Sequence, residues 1–182
     1  MSFFNIDFMS NLSEIIRYSK EWRRIGIETS ACNVEKILGI KKLYRKSVRI
    51  TDEIEGDYNF LGIILSNSPI MCLDIEGDPG SVDEFKIILE KNSIDINELL
   101  YENTLNDGLH LYFRIDPLLK KNNQYKKTYN NIRFDVLFNG RSFTAPSMFG
   151  GKSYGDLNKS IFDIKSILEI PEFPGCLKFL IS

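Results

Sequence analysis

The segment Ile70-Met71-Cys72-Leu73-Asp74-Ile75-Glu76 constrains the fold more than any other part of the chain. It opens as a continuous apolar run, the mark of a strand buried on both faces at the centre of a sheet. It closes on two carboxylates, so the exit of this central strand reads as a functional edge. Tyr58 to Leu65 reads as a companion strand, separated from it by Ser66-Asn67-Ser68. After Gly77-Asp78-Pro79-Gly80, the stretch Ser81-Val82-Asp83-Glu84 matches a capping box, with Ser81 as N-cap, and predicts a helix to about Lys91.

Other elements follow from the same reasoning. Leu12, Ile15, Ile16 and Trp22 share a face of a helix predicted from Asn11 to Arg24, and Ile25 to Thr29 alternates as a short strand would. A short helical segment is expected over Ile96 to Tyr101. Gly108 to Ile115 and Ile132 to Phe138 are rich in aromatic and branched residues and read as strands. Asn139-Gly140 is a hairpin signal, with Ser142 to Ala145 as the return strand. Asp116 to Asn131 reads as a polar, lysine-bearing connection, and Ser160 to Glu169 as a last helix ended by Pro171 and Pro174. With no repeat and no linker, the expected class is α+β, with residues 1–182 as a single domain.

Composition excludes several chemistries. The chain holds one histidine, His110, so a histidine-rich zinc site is ruled out, and a Ser-His-Asp or Cys-His enzyme would have to use that residue. Cys32, Cys72 and Cys176 are odd in number and far apart, against a zinc ribbon or a secreted disulfide framework. Residues 1–8 lack a secretory pattern, and no apolar run approaches the roughly 20 residues that cross a bilayer. A soluble, intracellular protein without a membrane partner is expected. The 23 basic and 25 acidic residues nearly cancel, but they are segregated. Residues 36–49 carry Lys36, Lys41, Lys42, Arg45, Lys46 and Arg49 with no acid among them, and Asp52, Glu53, Glu55 and Asp57 follow directly.

Asp74 and Glu76 stand two apart on a strand, so they share a face, with Cβ atoms about 6–7 Å apart. Two such carboxylates repel unless a cation lies between them, and oxygen donors select hard ions such as Mg²⁺ or Mn²⁺. A solvated strand end is the plain alternative. Asp135, in mid-strand between Phe134 and Val136, is costly to bury unless paired or bound to metal; pairing with Arg133, or a solvated sheet face, is the alternative there. On the strand of His110, Tyr112 and Arg114 share its face, and together they form a surface suited to phosphate. Gly108 just before that strand would let a ligand approach the backbone.

The ordered set Leu73-Asp74-Ile75-Glu76, Thr104 to Phe113 around Gly108 and His110, Phe134-Asp135-Val136 and Thr144-Ala145-Pro146-Ser147 resembles the primase-polymerase (prim-pol) domain of the archaeo-eukaryotic primase superfamily. The likeness spans about residues 58–155. Asp107-Gly108 stands where the family often has two glycines, and Met148-Phe149 follow Ser147 where it often has a further histidine. The resemblance implies an RRM-like antiparallel sheet joined to an N-terminal α/β unit, with the active-site cleft between them. It implies Asp74, Glu76 and Asp135 as metal ligands for two Mg²⁺ or Mn²⁺ ions, and His110 as the triphosphate contact. The resemblance makes Ser147 a further nucleotide contact, and the shared face of the His110 strand adds Arg114 as a candidate contact.

The implied activity is template-directed transfer of NTP or dNTP on single-stranded DNA. A replicative helicase would act in trans or in a further C-terminal region, in a bacterial or archaeal cytoplasm or at a viral replication site. Two ions roughly 3.5–4 Å apart would serve such a transfer without a protein nucleophile. Residues 36–49 and 114–133, with Tyr44, Tyr125 and Tyr129 interleaved, are candidate tracks for nucleic acid. The alternatives are a non-catalytic nucleic-acid-binding initiator domain and a metal-dependent nuclease using the same carboxylates. A rolling-circle nickase would need paired histidines, which the chain lacks.

Overall fold

The structure, a computed structural model, describes residues 5–37, 40–50, 54–78 and 80–182, without the side chains of residues 5–10 and 35–47. An opening helix, α1 (Asn5–Arg24), leads into a four-stranded antiparallel sheet built from β1 (Thr29–Ile37), β2 (Ile40–Arg49) and β3 (Phe60–Ile64), which is completed much later in the chain. The second sheet starts with β4 (Ile70–Ile75), followed by helix α2 (Ser81–Lys91), β5 (Leu100–Asn103), β6 (Leu109–Arg114), β7 (Gln124–Tyr129) and β8 (Ile132–Leu137). The chain then returns to the first sheet as β9 (Arg141–Thr144) and forms a small hairpin, β10 (Met148–Phe149) with β11 (Lys152–Ser153). Strand orders are β2-β1-β3-β9 and β5-β6-β4-β8-β7, antiparallel throughout. The class is α+β.

The apolar run of β4 is central, between β6 and β8, and its alternation divides the core in two. Ile70 and Cys72 face a cluster shared with α1 and the first sheet, including Trp22, Leu61, Ile63 and Tyr112. Met71, Leu73 and Ile75 face the opposite cluster, which α2 covers with Phe85, Ile88 and Leu89. On α1 the buried positions among the described side chains are Asn11, Ile15, Ser19 and Trp22, and the Trp22 ring meets Tyr112 edge-on at 5.8 Å. That contact joins the opening helix to the histidine strand. Among the described residues no helix is long and apolar enough to cross a membrane.

Four local expectations need correction. The alternation of Ile25 to Thr29 is a turn, with β1 starting only at Thr29. Residues 160–169 are turns and a short 3-10 segment (Ile167–Glu169) instead of a helix. Ile161, Ile164 and Ile170 do enter the core, but Ser160 Oγ and Ser166 Oγ accept from the nearby amides of Phe162 and Leu168, and such local bonds compete with helix formation. Ser81 is not the capping residue. The N-cap is Gly80 in the left-handed region, and Ser81 Oγ accepts from Arg133 N–H at 3.0 Å, tying α2 to β8. Finally, β7 lies where a connection was expected, while the short helical segment expected over Ile96 to Tyr101 is present as a 3-10 turn, Ile96–Glu98, with β5 beginning at Leu100. Both β5 and β7 are edge strands, and the polar, exposed pattern of β7 suits an edge protected from further pairing.

Lys120 gives this framework a titratable tie. Its ammonium donates to the carbonyls of Phe138 (2.8 Å) and Leu65, and burial brings its pKa down to about 8. Between about 8 and the unfolded value near ~10.4, the unfolded chain binds more protons, so Lys120 makes stability rise with pH across that window. Urea denaturation at both ends of the window is expected to show a smaller rise for Lys120→Met than for the parent. Equal rises would refute this account.

Candidate active site

The second sheet lines up four chemistry-bearing residues in one row. Glu102 on β5 pairs with His110 on β6, His110 with Asp74 on β4, and Asp74 with Asp135 on β8. Residues directly opposite on antiparallel strands project to the same face with Cβ atoms about 4.5–5.5 Å apart. Glu76 extends the face beyond the strand end, where its N–H donates to Arg133 O at 2.9 Å. Exposure grows along the row: Glu102 and His110 are buried, the Asp74 side chain is 31% exposed, and Glu76 is open to solvent.

His110 is held at both ring nitrogens. Nδ1 lies 2.9 Å from Phe143 O, a carbonyl that can only accept, so Nδ1 carries a proton. Nε2 faces Asp74 Oδ2 at 3.3 Å. Burial works against the imidazolium, yet the Cys72 sulfur and the carboxylates of Asp74 and Glu102 outweigh it and hold the His110 pKa well above its usual value. Burial in turn pushes the Cys72 thiol up to about 12. Glu76 titrates higher than usual because of burial, then the repulsion of Asp74 and Asp135.

Asp135 does not pair with Arg133. The Arg133 guanidinium goes to Asp78 at 2.8 Å, while Asp135 Oδ1 accepts from the Lys126 amide at 2.6 Å. That amide is presented by a bulge in β7, where Lys126 has a positive φ of 54°. Among the described residues no three His, Cys, Asp or Glu side chains are gathered closely enough to cage a metal. In this arrangement Asp135 and Asp74 each turn an oxygen towards a protein partner.

A cleft of about 180 Å³ opens over Asp74, Glu76 and His110, walled by Thr104, Asn106 and Tyr154. The Tyr154 ring lies 5.5 Å from the imidazole. The Gly77 backbone lies on its floor, and Gly108 makes room for protein, not for ligand: a Cβ there would lie 2.3 Å from Ile75 O.

Two proposed nucleotide contacts sit elsewhere. Arg114 is at the far end of β6, opposite Ile70, and pairs with Glu172 at 2.8 Å. It shares a sheet face with His110 but lies four residues along, about 13 Å away. Tyr112 between them is buried against Trp22. Ser147 is fully buried, its hydroxyl accepting from Leu61 N–H at 2.9 Å and lying against the Leu61 and Thr144 carbonyls. It pins the loop after β9 to β3.

The basic tracks are partly spoken for. Arg49 pairs with Glu28, Lys127 reaches Gln124 and the Ser182 carbonyl, and Tyr129 packs on Phe179. Tyr125 is exposed, while the side chains of Lys36, Lys41, Lys42, Tyr44, Arg45 and Lys46 lie outside the described residues.

Sequence reasoning missed Glu102, which is buried and accepts from Tyr112 OH (2.6 Å), Thr144 Oγ1 (2.9 Å) and Ala145 N–H (2.9 Å). The signal was available: Leu100 and Glu102 alternate beside the histidine strand, as Asp135 does between apolar neighbours. Comparison with protein-family models and with curated proteins finds no match to this chain.

Proposed function

We propose that this chain is a metal-dependent nucleotidyltransferase of the primase-polymerase kind, adding NTP or dNTP opposite a single-stranded DNA template. The observation that carries the reading is the register that sets Asp74 directly between His110 and Asp135, with Glu76 on the same face at the strand exit. Supporting it, the strands β4, β5, β6 and β8 with α2 after the first give the order β5-β6-β4-β8, as in an RRM-like βαββαβ sheet whose second helix is replaced by β7.

The donor set suits hard divalent cations. Asp74 and Asp135 are opposed across one strand pair, and like charges so placed destabilise each other. With these two and Glu76 as ligands, Mg²⁺ or Mn²⁺ would supply charge stabilisation for the attacking 3′-oxygen and the leaving pyrophosphate. The chain's own part is orientation. With Nδ1–H held by the Phe143 carbonyl and the imidazolium favoured, Nε2–H, which faces Asp74 Oδ2 at 3.3 Å, would be the donor to the polyphosphate at the cleft. Tyr154 walls that side from solvent.

The test is incubation with single-stranded DNA, Mn²⁺ or Mg²⁺ and labelled NTPs or dNTPs, with and without a primer. Incorporation is expected. Strand cleavage without nucleotides would identify a nuclease instead, and DNA binding without either would identify an initiator domain.

A second measurement tests the cation directly. Mn²⁺ at about a hundred times its Kd is expected to stabilise the fold by about 2.7 kcal/mol at pH 8, a Tm rise of roughly 5–10 °C. The raised Glu76 titration means its stabilising contribution is present in acid and lost as pH rises through its folded value. The cation gain should therefore shrink towards pH ~4, where protons compete for the carboxylates. A shift independent of pH would overturn the carboxylate site.

A further inference from the structure

We propose that Glu102 is a positioning residue that holds the His110 imidazole in place by claiming the Tyr112 proton; as a role in catalysis, this rests on the nucleotidyl-transfer reading above. Four polar groups converge at the buried end of the row. Tyr112 OH lies 2.6 Å from Glu102 Oε1, 3.2 Å from Phe143 O and 3.4 Å from His110 Nδ1. His110 Nδ1 is itself 2.9 Å from Phe143 O. The hydroxyl has one proton, and two acceptors lie within its reach. The short contact with a carboxylate takes that proton, because charge-assisted bonds are the stronger ones. The Phe143 carbonyl is then left to the imidazole N–H.

The other carboxylate oxygen fixes the acceptor's position. Glu102 Oε2 accepts from Thr144 Oγ1 and from Ala145 N–H, both at 2.9 Å. These groups belong to the end of β9 and the loop after it, in the first sheet, whereas Glu102 belongs to the second. Glu102 thus fastens the two sheets together one residue from the carbonyl that orients His110. Its side chain is fully buried, so the bonds are shielded from competing water.

Glu102→Gln keeps the shape and reverses the logic. An amide can donate to the Tyr112 oxygen, which frees the tyrosine proton to turn to Phe143 O and compete with the imidazole. Because the chain has a single histidine, ¹⁵N-histidine labelling gives one imidazole spin system to read. The parent is expected to show a slowly exchanging Nδ1–H. Glu102→Gln should speed its exchange with water about tenfold, the factor for losing one hydrogen bond of ordinary strength, with backbone amides of β4 and β6 unchanged. Adding Tyr112→Phe to Glu102→Gln removes the competitor and should restore slow exchange.

Unchanged exchange in Glu102→Gln, or no recovery in the double variant, overturns the proposal. Should Glu102→Gln fail to fold, Thr144→Val carries the test by removing one bond to Oε2, and unaltered Nδ1–H exchange there refutes the positioning role. None of these readouts needs turnover. Absence of nucleotide incorporation by the parent would defeat the catalytic reading and leave the exchange result standing; incorporation by the parent, lowered about tenfold in Glu102→Gln, joins the two.

Discussion

Asp74→Asn is expected to abolish metal-dependent nucleotide incorporation, on the order of 10³-fold or more, while leaving the protein folded. A loss of that size is about 4 kcal/mol of transition-state stabilisation, the scale of one displaced ion in a two-metal site. Asparagine has the volume of aspartate and keeps the β4 pairing with β6 and β8, which is made by backbone groups. What it removes is one negative charge from a face that also presents Asp135 and Glu76. Without metal, the variant loses the like charge facing Asp135 but also the carboxylate facing His110 Nε2 at 3.3 Å, so its stability should stay within about 1 kcal/mol of the parent. With Mn²⁺, its thermal shift should vanish. Activity is therefore lost while metal-free stability is largely kept, which a general folding defect cannot produce. Full activity in Asp74→Asn would end the proposal that this row performs nucleotidyl transfer.

The second large effect concerns the floor of the cleft. Gly77→Ala is expected to cost roughly 3 kcal/mol or more and to lower Tm by about 6–12 °C, through overpacking against backbone that cannot move aside. A Cβ at Gly77 would sit 1.6 Å from Asn106 O and 2.6 Å from Gly108 N. Reciprocally, a Cβ at Gly108 would lie 2.9 Å from Gly77 N. These two glycines let the chain leaving β4 and the chain entering β6 pass at backbone contact. That crossing sets Asp74 and Glu76 beside His110, so any Gly77→Ala protein that still folds should also incorporate nucleotide poorly. Gly175→Ala is the control. Nothing lies within 4 Å of its added Cβ, and a change within about 0.5 kcal/mol is expected. A Gly77→Ala protein as stable as Gly175→Ala would show that the two chain segments are not in contact as described.

Legibility in the sequence followed burial. The central strand could be read because Ile70 to Leu73 is apolar on both faces, and the structure buries both. The edge strand β7 could not, since much of its surface meets solvent and leaves no apolar period, while the alternation of β5 was masked because its second buried position is the charged Glu102. The stretch around Ile161 and Ile164 misled for the opposite reason: core-facing residues three apart look helical even when turns bring them in. Arg114 and Ser147 show a further limit. Sharing a strand face with His110 does not place Arg114 in the same cleft, and a serine beside a loop proline can be consumed by the backbone it pins.

By itself, then, the sequence determined the α+β class, the central position of Ile70 to Ile75, and the few side chains able to do chemistry, because these depend on local pattern and on there being one histidine. Only the tertiary structure decided that Glu102, His110, Asp74 and Asp135 stand in one row, and that Glu102 binds across to β9. Register between strands distant in sequence is set by the packing of both sheet faces at once, and a shift of one residue would turn each carboxylate into the apolar core.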